Sequence, residues 1–321
     1  MYPELFRIPG IDMPVYGYGV MLVLGFFGGV ALCKFLARRS GLDPEIFVNA
    51  ALIALVTGVI GARLSHVLEN LSDFTRPDLS VWENLKNVFN MRSGGLTYYG
   101  GFLLATPCTI LYGVYKKVPI RLGMDIIAPC VMIGLGFGRV GCFLNGCCHG
   151  AECNLPWAVT FPYHSNAFLD QYSDTKRPLD VPPALTYLSP KTGEIRVKPP
   201  ELLTPEDAAL AKDYRSRPVH PAQLYSTITA WMLAALLVAY FTLPHVPGRV
   251  FALMLMLEGA ARFVLESLRT EPAVLGPMSL SMVIGIFLVL GGAILWVVFG
   301  HYGSPEESPA ASLAHGAPAA A

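Results

Sequence analysis

Gly138-Arg139-Val140-Gly141-Cys142-Phe143-Leu144-Asn145-Gly146-Cys147-Cys148-His149-Gly150 closes an apolar run that begins near Ile120. About 20 apolar residues cross a bilayer, so the run reads as a membrane span with an arginine roughly one turn inside its end. A lone arginine at such depth costs at least about 2.5–3.5 kcal/mol, so Arg139 is expected to face a partner or a wet cavity. The glycines around it let a neighbouring backbone or a lipid headgroup come close. Arg139 is read as an anion-binding residue. Cys142, Cys147, Cys148 and Cys153, with His149 among them, are read as bracing its loop.

The rest of the chain supports a membrane setting. Of 321 residues, 53% are hydrophobic and 14% charged, with a mean hydropathy of +0.49, against roughly 25% charged residues in soluble domains. The 23 basic and 23 acidic residues cancel, so no basic excess points to nucleic acid as a partner. Cys33, Cys108 and Cys130 lie inside apolar runs and read as packing residues. The first apolar run lacks a basic flank and a small-residue cleavage site, so it is expected to be a span and not a cleaved signal.

Seven segments qualify as spans, at about 15–37, 46–68, 96–115, 120–143, 222–241, 250–268 and 278–299. The expected class is therefore an all-α polytopic membrane protein with a small extracytoplasmic cap. Four regions follow: 1–149 carrying four spans and the arginine stretch, 150–217 as the cap, 218–302 with three more spans, and 303–321 as a polar, small-residue tail expected to be disordered. Within the cap, 185–198 reads as a hairpin around Pro190-Lys191-Thr192-Gly193. Lys34, Arg38, Arg39, Lys116, Lys117, Arg121 and Arg249 cluster at alternate loops, which predicts the N-terminus and cap outside and the C-terminus in the cytoplasm.

Ionisable residues recur inside other spans. Arg63, His66 and Asn70 share one helical face of the second. Glu258, Arg262, Glu266 and Arg269 project within roughly 80° of one another on the sixth, acid alternating with base. One reading is an ion-pair ladder joining helices; the other is a polar cavity for a charged ligand. The number of arginines favours the cavity, because a guanidinium grips phosphate oxygens in a bidentate fork. Phosphate within a bilayer means, most simply, a phospholipid headgroup.

Further motifs are Tyr18-Gly19-Val20-Met21, Gly61-Ala62-Arg63-Leu64, Ser93 to Gly101, Asp125 with Ala128-Pro129, His220-Pro221-Ala222-Gln223-Leu224-Tyr225, and Arg262-Phe263 to Glu266 with Arg269. Together with the arginine stretch, in this order, the chain resembles the prolipoprotein diacylglyceryl transferase family. The resemblance touches nearly every span and omits the cap and tail. It implies a seven-helix body with a periplasmic head in the bacterial inner membrane. It also implies transfer of the diacylglyceryl group of phosphatidylglycerol to the lipobox cysteine of preprolipoproteins, with a thioether formed and glycerol phosphate released.

By the same resemblance Arg139 binds the phosphatidylglycerol, Arg262 is the essential arginine of the sixth span, and Tyr18 is the important tyrosine of the first. Asn145 and Gly150 match the signature asparagine and glycine. With them, Glu266 and Tyr99 are taken as catalytic, and Arg63, His220 and Arg269 as substrate-binding. Glu266 is expected to orient Arg262, since a carboxylate beside a guanidinium stays ionised.

The departures bear on mechanism. The family signature usually reads asparagine at Cys142 and glutamate at Cys147, and some members carry histidine at Tyr99. Tyrosine, with a reference pKa near 10, is a poor base at neutral pH. No cofactor is expected, and for the cysteines a disulfide, packed free thiols and a metal all stay open. Two rivals use the same residues. A lipid or anion transporter would need repeats or paired broken helices, which are absent from the sequence. A cysteine-rich redox or metal protein would build on Cys142-x₄-Cys147, a loose match to zinc-ligand spacing.

Overall fold

The computed structural model describes residues 4–10, 13–75, 80–89, 97–190, 193–269 and 273–303. Its long helices are α1 (Gly17–Arg39), α2 (Pro44–Glu69), α5 (Tyr98–Tyr115), α6 (Ile120–Asn145), α9 (Ala222–Phe241), α10 (Arg249–Glu266) and α11 (Leu280–Tyr302). Short helices α3 (Leu71–Phe74), α4 (Val81–Phe89), α7 (Asn166–Tyr172) and α8 (Pro205–Ala211) lie between them. Three two-stranded antiparallel ribbons complete the elements: β1 (Glu4–Ile8) with β2 (Met13–Tyr16), β3 (Thr186–Leu188) with β4 (Ile195–Val197), and β5 (Ala273–Leu275) with β6 (Met278–Ser279).

Five of these helices, α1, α2, α6, α9 and α11, are long and apolar enough to cross a membrane. Large apolar side chains such as Phe27, Ile60, Phe287 and Val297 are exposed on them. Such surface would be costly in water and suits hydrocarbon, where helices satisfy their own backbone groups. The chain is thus a mostly helical, multi-pass membrane protein. Helices α5 and α10 have 18 residues each, and α10 carries Arg249, Glu258, Arg262 and Glu266 along its length.

Contacts divide the chain into two compact units. The first comprises Met1–Gly29, Ala128–Tyr240 and Val250–His301. Here residues 150–217 fold around Phe161, Phe168 and Leu185, all fully buried. Local signals set their short helices. Ser165 caps α7 by accepting from Phe168 N at 3.3 Å, and Thr204 with Asp207 forms a capping box on α8 behind Pro205. The β3–β4 hairpin pairs Tyr187 with Arg196, as its two β-prone runs predict, while residues 191–192 of its turn lie outside the described residues. Tyr163 Oη donates toward the carbonyls of Lys198, at 2.9 Å, and Leu185, at 3.1 Å. Burial, with Asp207 adding to it, pushes the Tyr163 hydroxyl up to about 12.

The second unit comprises Val30–Ile127, Phe241–Arg249 and Tyr302–Ala321. Asp43 caps α2 by accepting from Glu45 N at 2.9 Å, with Pro44 opening the helix. Helices α2 and α5 meet through glycine. A Cβ on Gly101 would lie 2.8 Å from Gly58 O, and one on Gly61 would run into Gly100 O. Only hydrogen at these positions lets the two backbones approach so closely. Asp125 and His245 are buried together, with Asp125 Oδ2 accepting from Gly248 N at 2.6 Å.

Three elements were not expected from sequence. The β1–β2 ribbon falls before the first span, where periodicity is too short to distinguish strand from loop. The same holds for β5–β6. Helix α4 is strongly amphipathic, and its mixed composition had read as a loop. The glycine pair Gly94-Gly95 and the tail at 304–321 lie outside the described residues.

Candidate functional site

The site grows from the end of α6. Arg139, on its last two turns, lines a cavity with Glu258, Arg262 and Glu266 of α10, Arg269 beyond it, Cys148, and Ala222 and Ser226 of α9. Three arginines face two glutamates there, one cation in excess. Arg262 Nη2 lies 3.5 Å from Glu258 Oε1, one turn back. Arg262 Nε is buried, with no hydrogen-bond partner among the described residues. A buried guanidinium N–H without an acceptor is costly, by about 1–3 kcal/mol or more for a charged group. It is therefore a natural seat for an incoming anionic oxygen.

Glu266 differs from expectation. It had been expected to orient Arg262, but its Oε2 lies 3.2 Å from Arg269 Nη1, and Ser279 Oγ donates to its Oε1 at 3.2 Å. The reason is position. Glu266 ends α10, so the chain turns and brings Arg269 and the β6 serine to the carboxylate. Ser279 had no signal in the sequence, because its partner lies thirteen residues away with no helical period between them.

Three motifs are stitched together by backbone hydrogen bonds. Gly150 N donates to His220 O at 3.0 Å, His220 N to Ala151 O at 2.9 Å, and Ala151 N to Leu268 O at 2.8 Å. The exit of the arginine stretch, the His220 segment and the end of α10 thus form one knot. Gly150 sits inside it. A Cβ there would lie 2.6 Å from His220 Cβ and 2.9 Å from both His220 O and Leu268 O. Gln223, nearly fully buried, donates from Nε2 to Cys147 O at 2.7 Å. His220 Nδ1 lies 3.4 Å from Tyr225 Oη, which accepts from Trp157 Nε1 at 2.7 Å.

A second cavity, of about 750 Å³, is lined by Cys148, His149, Gly150, Asp170, Asp174 and Arg269 among others. It therefore shares Cys148 and Arg269 with the arginine cavity. His149 Nε2 lies 3.0 Å from Asp170 Oδ2, a partner the sequence did not suggest. Backbone donation from Lys176 holds the Asp174 carboxyl below the usual range, so it is ionised at neutral pH. This cavity is the more acidic of the two.

Tyr18 packs against the same stretch, since a Cβ on Gly141 would come within 2.9 Å of its Cδ2. Asn145, at the end of α6, is exposed. The first unit thus brings together Arg139, Tyr18, Asn145, Gly150, His220, Arg262, Glu266 and Arg269.

Arg63 and Tyr99 belong to the second unit. Arg63 is buried, and its fork is committed: Nε donates to Val88 O at 2.7 Å and Nη2 to Asn87 O at 2.8 Å, with the guanidinium 5.2 Å from the Phe74 ring. It closes the carbonyl end of α4, where a cation is favoured. That commitment differs from the phosphate-ligand role expected of it. A sequence alone cannot identify backbone carbonyls as the partners of an arginine. Tyr99, in the first turn of α5, is exposed.

Residues 3–298 match the profile of the family described as prolipoprotein diacylglyceryl transferase. Among curated relatives, a phosphatidylglycerol–prolipoprotein diacylglyceryl transferase of Clostridium tetani is 27% identical over 92% of this chain and 97% of its own length. The protein of that name from Corynebacterium diphtheriae is 28% identical over 81% of this chain and 80% of its own. One from Rhodopirellula baltica is 37% identical over 50% of this chain and 32% of its own.

Proposed function

The chain belongs to the prolipoprotein diacylglyceryl transferase family, and from that premise we propose that it transfers the diacylglyceryl group of phosphatidylglycerol to the lipobox cysteine thiol of a preprolipoprotein. The observation that carries this reading is the cavity of Arg139, Arg262 and Arg269 with its one excess positive charge and its buried, unpartnered Arg262 Nε. A phosphate diester headgroup supplies both the charge and the acceptor that this cavity lacks.

In the reaction the acceptor thiolate attacks the glycerol carbon that bears the phosphate. A C–S bond forms, the C–O bond breaks, and the electron pair leaves on a phosphate oxygen of glycerol phosphate. Arginines fixed in a low-dielectric cavity stabilise that developing charge without reorganising. Arg139 and Arg262 grip the phosphate; Glu258 and Glu266 hold Arg262 and Arg269 in position. Tyr18 and Asn145 border the same stretch, Gly150 and His220 hold the knot beside it, and Tyr99 takes a lipid-facing role without serving as base.

The proposed setting is the bacterial inner membrane, with seven spans counted by adding α5 and α10 to the five clear ones. At 1.5 Å per residue an 18-residue helix spans roughly 27 Å, close to the hydrocarbon thickness of about 30 Å. Residues 150–217 form the periplasmic cap, joined by the N-terminus. The loops carrying Lys34, Arg38, Arg39, Lys116 and Lys117 face the cytoplasm with the 303–321 tail, following the excess of basic residues on that side.

The test uses purified protein, phosphatidylglycerol and a lipobox peptide with its cysteine intact or changed to serine. The cysteine peptide should gain a thioether-linked diacylglyceryl group with release of glycerol phosphate, and the serine peptide should gain nothing. No product from folded protein and a cognate peptide overturns the reading.

A further inference from the structure

Transfer to a thiol requires that the thiol lose its proton, and Tyr99 is a poor base for it. Beside the arginine cavity lies a group of residues suited to that task. The Sγ atoms of Cys142, Cys147 and Cys148 all lie within 4.8 Å of one another. Sulfurs bound to one tetrahedral zinc at about 2.3 Å stand roughly 3.8 Å apart, so a cation could seat among them with side-chain adjustments alone.

The backbone is bent to bring them together. Side chains of adjacent residues ordinarily diverge, yet Cys147 and Cys148 turn to one point because Gly146 at φ +74° and Cys148 at φ +58° both adopt left-handed conformations. A non-glycine residue held there is uncommon. A disulfide would use two sulfurs and leave the third without purpose, whereas a metal uses all three. A supporting contact is also present: Gln223 Nε2 donates to Cys147 O. Cys148 lines the cavity with Arg139 and Arg262, so the trio adjoins the anion site.

We propose that Cys142, Cys147 and Cys148 bind one Zn²⁺ as thiolates, and that its fourth position receives the lipobox thiol of the acceptor. Three thiolates and one zinc carry a net charge of −1, and Arg139, Arg262 and Arg269 line the adjoining cavity. Zinc has no redox chemistry, and three protein ligands with one open position is its catalytic arrangement. A coordinated thiol is deprotonated outright, so its proton passes to water on binding. The zinc-bound sulfur then attacks the glycerol carbon, the thioether leaves the metal, and glycerol phosphate carries off the electron pair. Zinc stays divalent throughout. The second half of the proposal rests on the transferase reading; the three-thiolate site does not. It replaces the expectation of no cofactor.

The experiment uses the full chain, purified from membranes in detergent without a histidine tag or chelator. Elemental analysis should find one zinc per chain, lost in the Cys147→Ser/Cys148→Ser double variant and retained in Cys153→Ser. Should the double variant fail to fold, maleimide labelling of the wild type decides: three further thiols should become reactive only after a strong zinc chelator is added. Three thiols reactive without chelation, or two that appear only on reduction of a zinc-free protein, overturn the site. Cobalt substitution should give sulfur-to-metal charge-transfer bands that shift with the cysteine lipobox peptide and not with the serine peptide. Bands indifferent to the cysteine peptide overturn the open fourth position. Full transfer by zinc-stripped protein also overturns the metal role and leaves the transferase reading intact. Stoichiometric zinc with no transfer to a cognate peptide overturns the transferase reading and leaves the three-thiolate site standing.

Discussion

Glu266 Oε2 and Arg269 Nη1 form an ion pair at 3.2 Å, and the carboxylate is almost fully buried. The pair leaves Arg262 to Glu258, at 3.5 Å one turn back. The acid-base alternation of α10 is thus two separate pairs with an unequal supply of acceptors. Glu266 is held by Arg269 and Ser279, while Arg262 Nε is a buried donor with no hydrogen-bond partner among the described residues. Arg262 is therefore prepared for an anionic ligand.

The Arg262→Lys variant keeps the charge and loses the planar fork. A hydrogen bond to a charged group contributes about 1.5–3 kcal/mol, and 1.36 kcal/mol is tenfold in rate. Transfer should fall by roughly ten- to a hundredfold while the thermal melt in detergent stays near wild type. Full activity would mean that charge alone suffices.

Glu266→Gln should act mainly on stability. The amide keeps the shape and a hydrogen bond to Ser279 but leaves Arg269 without its counter-charge. Breaking a buried pair from one side costs about 3–5 kcal/mol, and the adjoining cavity points to the lower end. The melting temperature should drop clearly, and more than for Glu258→Gln. An unchanged melt would show that water already screens the pair.

Gly150→Ala should loosen the knot. Its Cβ would meet His220 and Leu268 at 2.6–2.9 Å, where backbone carbonyls cannot yield cheaply. Overpacking of this kind costs about 1–3 kcal/mol. Both stability and transfer should fall. Gly138→Ala, whose Cβ would meet nothing within 4 Å, is the steric control and should melt like wild type.

His164 carries a pH dependence in the 150–217 region. Burial holds its imidazole below the ordinary value of 6.5, with Glu201 partly opposing the effect. Its contribution is fully present above the unfolded value and is lost as pH falls through the lower folded value, because the unfolded chain takes up the proton first. Melts at pH 7.5 and pH 5 should differ more for the wild type than for His164→Asn. Equal differences would remove His164 as the cause.

By itself the sequence determined the class of protein and singled out charged residues that line one cavity. Apolar runs long enough to span a bilayer leave no other solvent, and an arginine at that depth must have a reason to be there. Arg139, Arg262 and Arg269 were legible on that ground, as were five of the spans to within a few residues. Partnership was not legible. Helical spacing allows Glu266 to meet either Arg262 or Arg269, and only the turn after α10 and the arrival of Ser279 decided between them. That the donors of Arg63 reach Asn87 O and Val88 O was not legible either, because a pattern of side chains carries no record of which backbone carbonyls lie nearby. The four cysteines could be counted in the sequence. That Cys142, Cys147 and Cys148 converge while Cys153 stands outside their trio depended on two left-handed backbone conformations, one that glycine favours locally at Gly146 and one at Cys148 that local propensity does not favour.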